Sequence, residues 1–253
     1  MPVPNEWTLE GKVALITADT RGWAPVLAGA LAEAGADVAV AGSSAEHVES
    51  TAAAVRAQGR KAATIVGEFS GYTETDAAVN QAVSELGGLD ILVNASLLEL
   101  GKPTLDTTEF EWSTVMDANA GATFRWSRSA GRVMTEQGSG HIVNIISEMA
   151  ERGLTNHVPF SASQAAIQQM TRSLSLEWGT AGVRINCIAT GWVELNPPPL
   201  EEQQKELLVR YLPLRRKGTP EELATLLIYL SGDFSDFTTG QTIYVDGGAM
   251  AHA

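Results

Sequence analysis

The chain has a single cysteine, Cys187, only four histidines, and a shortage of positive charge: 17 Lys and Arg stand against 30 Asp and Glu, a formal net charge of −13. A lone thiol cannot close an intrachain disulfide, so the fold must rest on its apolar core, and the composition suits a reducing compartment. Cys187 lies within the apolar run "VRINCIAT", where a small buried thiol is expected rather than a nucleophile. Without a cluster of Lys or Arg, the chain lacks the electrostatic footprint that a nucleic-acid backbone or an anionic membrane requires. No apolar run reaches transmembrane length, and the opening "MPVPNEWTLEGK" lacks the basic-then-apolar order of a secretory leader. The expectation is therefore a cytoplasmic protein with no membrane and no nucleic-acid partner. His47, His141 and His252 show no ligand spacing to Cys or carboxylates, so no metal site is expected.

Apolar residues are plentiful: 44% of 253 positions, enough to fill the core of one α/β domain spanning residues 1–253. Short apolar runs, most of them β-branched, recur along it: "KVALIT" (12–17), "DVAVAG" (37–42), "AATIVG" (62–67), "LDILVN" (89–94), "GHIVNII" (140–146), "VRINCIA" (183–189) and "QTIYVDG" (241–247). Continuous rather than alternating hydrophobicity marks strands buried on both faces, as in a parallel sheet covered by helices. Between the first two runs, "APVLAGALAEAGA" carries Pro25 in its first turn and Gly35 just past its end, the punctuation of a helix. The repeated strand, helix, strand order predicts a doubly wound sheet. In the irregular segment 191–216, three prolines precede an amphipathic stretch, which reads as a substrate lid beyond a strand's carboxyl end or, alternatively, as a solvated loop.

The fragments "GKVALIT", "LDILVN", "MDANAGATF", "GHIVNIIS", "SASQAAI", "RINCIATGWV" and "TTGQTIYVDGG", in this order and spacing, resemble the short-chain dehydrogenase/reductase family over almost the whole chain. The resemblance implies a Rossmann-type α/β domain, an NADP or NAD cofactor, a small-molecule substrate whose carbonyl or alcohol exchanges a hydride with nicotinamide, and a homo-oligomer, dimer or tetramer. It also implies cofactor contacts from Thr17, Arg21, Gly22, Trp23, Ser43, Glu68, Asn94, Gly191 and Val193. Arg21 tilts the choice of nucleotide toward NADP, because a guanidinium pairs well with phosphate; the alternative is a solvent-exposed loop Arg. For the interface, Ala162, Ala166, Met170 and Leu174 form a stripe on a helix expected from about Ser161 to Trp178, with burial inside one subunit as the alternative. Gly240, Asp246, Gly247 and Gly248 match a second family contact.

Departures from the family pattern lie in the pocket. Thr-Gly, three residues, Gly, one residue, Gly becomes Thr17, Ala18, Asp19, Thr20, Arg21, Gly22, Trp23, Ala24, so only the middle glycine is kept. Ala18 and Trp23 are expected to crowd the pyrophosphate, since glycines there let the backbone approach it. Leu97 replaces a glycine and is expected to press toward the adenosine side. The position that selects the nucleotide reads Gly42 to Ser44, and Leu195 replaces a threonine. Asn119 and Ser147 match the family's catalytic set, but its Tyr and Lys become Phe160 and Gln164. A phenyl ring has no proton to give and an amide no charge, and losing a positioned general acid slows a reaction roughly 10²- to 10⁴-fold. Glu148 and His157 are the candidate replacements. Three functions follow as expectations: an oxidoreductase with an atypical proton donor, a nucleotide-independent lyase, isomerase or hydrolase in the same crevice, or a catalytically silent binding or regulatory subunit.

Overall fold

The structure is a computed structural model that describes residues 7–18 and 21–251, so Asp19, Thr20 and His252 lie outside the described residues. Seven parallel strands, β1 (Val13–Thr17), β2 (Asp37–Gly42), β3 (Ala62–Val66), β4 (Ile91–Asn94), β5 (Gly140–Ser147), β6 (Val183–Thr190) and β7 (Thr242–Val245), pair in the order β3-β2-β1-β4-β5-β6-β7. Each expected run carries a strand, and β5 and β6 each extend one residue beyond theirs. The order reverses between β1 and β4, which opens a crevice beyond the carboxyl ends of the strands, where doubly wound sheets bind ligands.

Side chains alternate across the sheet and fill a core on each face. Along β1, Ala14 and Ile16 join one core while Leu15 joins the other. On the first face α1 (Ala24–Glu33), α2 (Ala45–Ala57) and α9 (Glu221–Ser231) contribute Leu27, Leu31, Val48, Leu223 and Leu227. On the second, α3 (Tyr72–Leu86), α5 (Ala122–Gln137) and α6 (Val158–Trp178) contribute Val79, Trp126, Met134 and Leu174. Pro25 sits in the first turn of α1 as expected. A short helix, α4 (Glu109–Met116), opens on a capping box in which Thr108 and Glu111 satisfy each other's backbone N–H groups. It runs into a π-helical turn, Asp117–Gly121, that leads into α5.

Two expectations need correction. Helix α6 begins at Val158, three residues before Ser161, because Pro159 is tolerated in a first turn whose N–H groups have no intrahelical partner. Its inward face is Ser163, Gln164, Ile167 and Thr171, while Ala162, Ala166 and Met170 of the proposed stripe remain only partly buried. Segment 191–216 contains two short helices, α7 (Leu200–Gln203) and α8 (Leu207–Tyr211). Lys217 clasps it from just beyond its end, bonding Glu194 at 2.7 Å and Glu206 at 2.9 Å.

Leu92, in mid-strand and fully buried, tests the core. Leu92→Ala should lower unfolding stability by about 2–5 kcal/mol through lost burial and the cavity left behind. Urea denaturation checks this, and a change under about 0.5 kcal/mol contradicts the core assignment.

Candidate active site

Strands β1, β4, β5 and β6 end at Thr17, Asn94, Ser147 and Thr190, side by side at the crevice. Thr17 Oγ1 accepts hydrogen bonds from the N–H groups of Ala95 (2.9 Å) and Ser96 (3.2 Å), tying the loop after β4 to the end of β1. From here the crevice divides into two spaces.

The first, about 290 Å³, runs between β1, β2 and β3 and is lined by Thr17, Ala18, Gly42, Ser43, Gly67, Glu68 and Ser96, with Asp117 and Arg125 also in its lining. Ser43 and Glu68 thus stand together as expected. The Ala18 methyl faces Gly42, where an added Cβ would lie 3.1 Å from it, so the larger residue at 18 is absorbed by the absence of a side chain at 42. Leu97 does not press into this space; it is buried, and Ser96 forms the wall instead. Arg125 was not anticipated. Its guanidinium bonds both Asp117 oxygens at 2.7 and 3.1 Å, a pairing the sequence hid because a π-helical turn intervenes between residues eight apart.

The second space, about 140 Å³, is lined by Ser147, Glu148, Phe160, Gly191, Trp192 and Val193, together with Arg21, Glu99 and Met149. Arg21 therefore faces away from the groove that would hold a ribose phosphate. It pairs with Glu99 at 3.2 Å, and its guanidinium carbon lies 5.1 Å from the Trp23 ring centre and 6.0 Å from that of Phe160. This location removes the physical basis for reading Arg21 as an NADP selector. Trp23 is corrected as well: its indole packs into the first core rather than crowding the crevice. What covers the turn is Leu195, whose Cδ2 lies 3.1 Å from where a Cβ on Gly22 would be. Gly22 has φ +77°, a left-handed conformation that favours glycine, so its retention has a backbone reason.

Three polar residues at positions the family pattern singles out are braces. Asn119, fully buried, accepts from Leu98 N–H at 2.7 Å and donates to Leu98 O and Ser163 Oγ, both at 2.9 Å, so it fixes the loop after β4 against α6 and does not line the small cavity. Asn94 donates to Asn144 Oδ1 at 2.8 Å and Ser127 Oγ at 3.2 Å beneath the crevice. Gln164, also fully buried, accepts the N–H of Ser147 at 2.9 Å and donates to Ser163 Oγ at 3.3 Å. Ser163 was overlooked in the sequence although it is the hub of this network. Its only signal was a small polar residue one turn into a helix, where the hydroxyl back-bonds to Phe160 O at 2.7 Å. Ser147 Oγ accepts from Met149 N–H at 3.2 Å and faces the cavity.

Of the candidate proton carriers, His157 is outside the cavity. Its Nδ1 lies 2.8 Å from Thr155 O and its Nε2 3.3 Å from Glu99, so it meets the site only through that carboxylate. Glu148 is inside. It is 1% exposed, and neither carboxyl oxygen has a hydrogen-bond partner; Arg152 Nη1 stops at 3.6 Å. Burial drives its pKa up from 4.5 to about 7, and nearby Asp246 adds to this while Arg152 opposes it. Gly191 is required by close approach, since an added Cβ would lie 2.8 Å from Asp246 Cα and 3.0 Å from Glu148 Oε2.

Segment 191–216 walls a further cavity of about 380 Å³ with Trp192, Leu212 and Pro213 against Tyr244 and Asp246. At the other end of β5, where the strand begins, His141, Asp233 and Asp236 place candidate ligand atoms within 4.8 Å of one another, which separation in sequence concealed. Lys12 bonds Asp233 there at 3.0 Å and supplies a counter-charge. Cys187 is fully buried, and burial pushes its thiol up to about 11, as suits a structural thiol.

A family model described as enoyl-(acyl carrier protein) reductase matches residues 17–250. Gluconate 5-dehydrogenase of Gluconobacter oxydans is 31% identical over 98% of both chains. The chain belongs to the short-chain dehydrogenase/reductase family. A (2S)-[(R)-hydroxy(phenyl)methyl]succinyl-CoA dehydrogenase subunit of Thauera aromatica is 32% identical, covering 97% of this chain and 99% of that one. Among solved members of the family, gluconate 5-dehydrogenase of Burkholderia cenocepacia in complex with NADP and tartrate superposes with TM-score 0.88 at 28% identity and 98% coverage of both chains. Among the described residues, no helix is long and apolar enough to cross a membrane.

Glu148 gives the site a pH signature. Between about pH 4.5 and 7 the folded protein holds a proton on Glu148 that the unfolded chain has released, so this group's contribution to stability falls as pH rises through that window. Glu148→Gln should abolish the slope, gaining on the order of 3 kcal/mol relative to wild type between pH 4.5 and 8. Urea unfolding of both proteins at each pH checks this, and parallel pH curves contradict it.

Proposed function

We propose that this protein is an NAD(P)-dependent oxidoreductase acting on a small polar carbonyl or alcohol, with Ser147 holding the substrate oxygen and a proton donor other than Phe160. The observation that carries this reading is the open groove of about 290 Å³ at the ends of β1, β2 and β3, in the same crevice as a cavity lined by Ser147. In this reading the groove takes the adenosine end of the cofactor. Ser43 and Glu68 supply polar groups to it, and the Ala18 methyl is already absorbed by Gly42.

Beyond Gly22, the fit requires Leu195 to swing off the glycine turn and Arg21 to yield room over Phe160; both are side-chain ends, not backbone. Gly191 and Val193 then flank the nicotinamide, which supplies hydride when bound. Leu195 belongs to the segment clasped by Lys217, so cofactor entry and closure of residues 191–216 are coupled in this reading. Several relatives are named for sugar acids, including 2-dehydro-3-deoxy-D-gluconate 5-dehydrogenase and 5-keto-D-gluconate 5-reductase, which supports a hydroxylated acid as the substrate class. Arg21 in the lining of the small cavity presents a guanidinium that an acid substrate could engage in exchange for Glu99.

Titration with NADPH and NADH tests the reading. Trp192 lines the small cavity and should be quenched on binding, with half-saturation below about 1 mM, within the usual enzyme range. No quenching and no calorimetric heat at that concentration refutes the proposal. Ser147→Ala should leave binding intact and lower turnover of 5-keto-D-gluconate with NADPH roughly 10²- to 10³-fold, as for loss of an oxyanion-stabilising donor.

A second reading rests on the inert network. Asn119, Ser163 and Gln164 bond one another and carry no titratable group, and a similar dehydrogenase chain is named as a subunit. In that reading the protein is a silent subunit beside an active homologue. Absence of nucleotide binding by the isolated chain, with a related chain co-purifying, selects it.

A further inference from the structure

Glu148 stands out among all buried polar groups of the described residues because both of its carboxyl oxygens are sealed from bulk solvent and neither meets a donor. Buried polar atoms are nearly always partnered, and a carboxyl group left orphaned on both oxygens is strongly disfavoured unless something binds it. The surrounding architecture keeps it so. Its own short turn follows Ser147 directly at the end of β5, and Gly191, just past the end of β6, brings a position without a side chain against it, 3.0 Å from Oε2 to a notional Cβ. Arg152, close by in the chain and over the Trp192 ring at 5.6 Å, forms a long ion pair with the carboxyl at 3.6 Å but no hydrogen bond.

We infer that Glu148 is the acid-base group of this site: it donates the proton to the substrate oxygen held at Ser147 during reduction, and takes it back during oxidation. The inference rests on the oxidoreductase reading above and names the donor that reading leaves open. In reduction, hydride from the reduced nicotinamide forms the new C–H bond, and the carbonyl π pair takes the proton from the Glu148 carboxyl. The group is left as a carboxylate facing Arg152, and water entering through the cavity mouth reprotonates it.

The charged groups that face Glu148 agree with this cycle. Arg152 favours the carboxylate after proton transfer. Asp246, at the end of β7, favours the acid before it, and is itself held by the N–H groups of Gly248 and Met250, both at 2.8 Å. Across the cavity, Arg21 and Glu99 neutralise each other. From α6 the nearby groups, Phe160 and Gln164, do not titrate, and Arg172 turns to Glu151 at 3.6 Å. The carboxyl is therefore mostly protonated just below neutrality, the state a proton donor needs.

Glu148→Gln keeps the size and neutrality of the protonated side chain but has no transferable proton, so it is the informative variant. Infrared titration of the nucleotide-free protein should reveal a carboxyl band with a midpoint near pH 7 that is missing from the variant. With NADPH and 5-keto-D-gluconate, wild-type turnover should fall as pH rises through about 7, and the variant should lose roughly 10²- to 10⁴-fold in turnover while NADPH quenches Trp192 as before. A midpoint in the ordinary carboxylate range, or a variant that turns over at the wild-type rate with the wild-type pH profile, overturns the assignment while leaving the oxidoreductase reading standing. Failure of the wild type to bind NADPH overturns both. Glu148→Asp, which keeps the acid on a shorter arm, should recover part of the lost rate, and no recovery beyond the Gln variant argues against proton transfer.

Discussion

The hydrogen bond from the Ser147 N–H to Gln164 Oε1 is the constraint on which the candidate site depends. It joins the end of β5 to the second turn of α6, both buried, and it needs an acceptor. A lysine at this position would present only donors to that N–H and would bring an unpaired charge into a fully buried space, so the neutral amide is required by the surroundings as they stand. Once Gln164 is fixed, Ser163, Asn119 and the backbone of Leu98 follow in one connected network, each bond satisfying the next residue's polar group. Phe160 completes it with an apolar face that needs no partner. The consequence is a rigid frame for the Ser147 hydroxyl with no mobile proton of its own.

Removing the proton from that frame concentrates the chemistry elsewhere. Ser147 points its hydroxyl into a small cavity whose titratable occupants are Glu148, Glu99 and Arg21. Glu99 and Arg21 are engaged with each other in an ion pair at 3.2 Å. Glu148 has burial on every side and no donor, and the same burial that makes it unfavourable as a carboxylate makes it effective as an acid. Environment, not residue type, separates the roles of these two glutamates.

Much of the fold was legible because the signals were strong and local. Seven apolar runs gave seven strands, and the pair Pro25 and Gly35 bracketed α1 as helix-end chemistry requires. The pocket was less legible, since side-chain direction does not follow from position in a motif. Trp23 and Leu97 occupy places next to the ligand in the chain pattern, yet both turn into protein, so the steric conflicts expected from their size do not arise. Arg21 shows the opposite failure: its charge was evident and its direction was not. Residues that matter through partnership, such as Ser163 beneath Phe160 or Arg125 with Asp117, carried no signal because the partner is distant in sequence or separated by an irregular turn.

Leu195 links the fold to the chemistry. It lies four residues past Gly191, on the segment that begins where β6 ends, and it rests on Gly22 at the entrance of α1. The two spaces of the crevice, one beside Glu68 and one beside Ser147, share no lining residue, and Arg21 lines only the second. The segment that carries Leu195 also carries Trp192. Trp192 in turn supports Arg152 over its ring and forms one wall around Glu148. One short stretch of chain after β6 therefore touches the turn at Gly22, the cavity beside Ser147 and the surroundings of the buried acid.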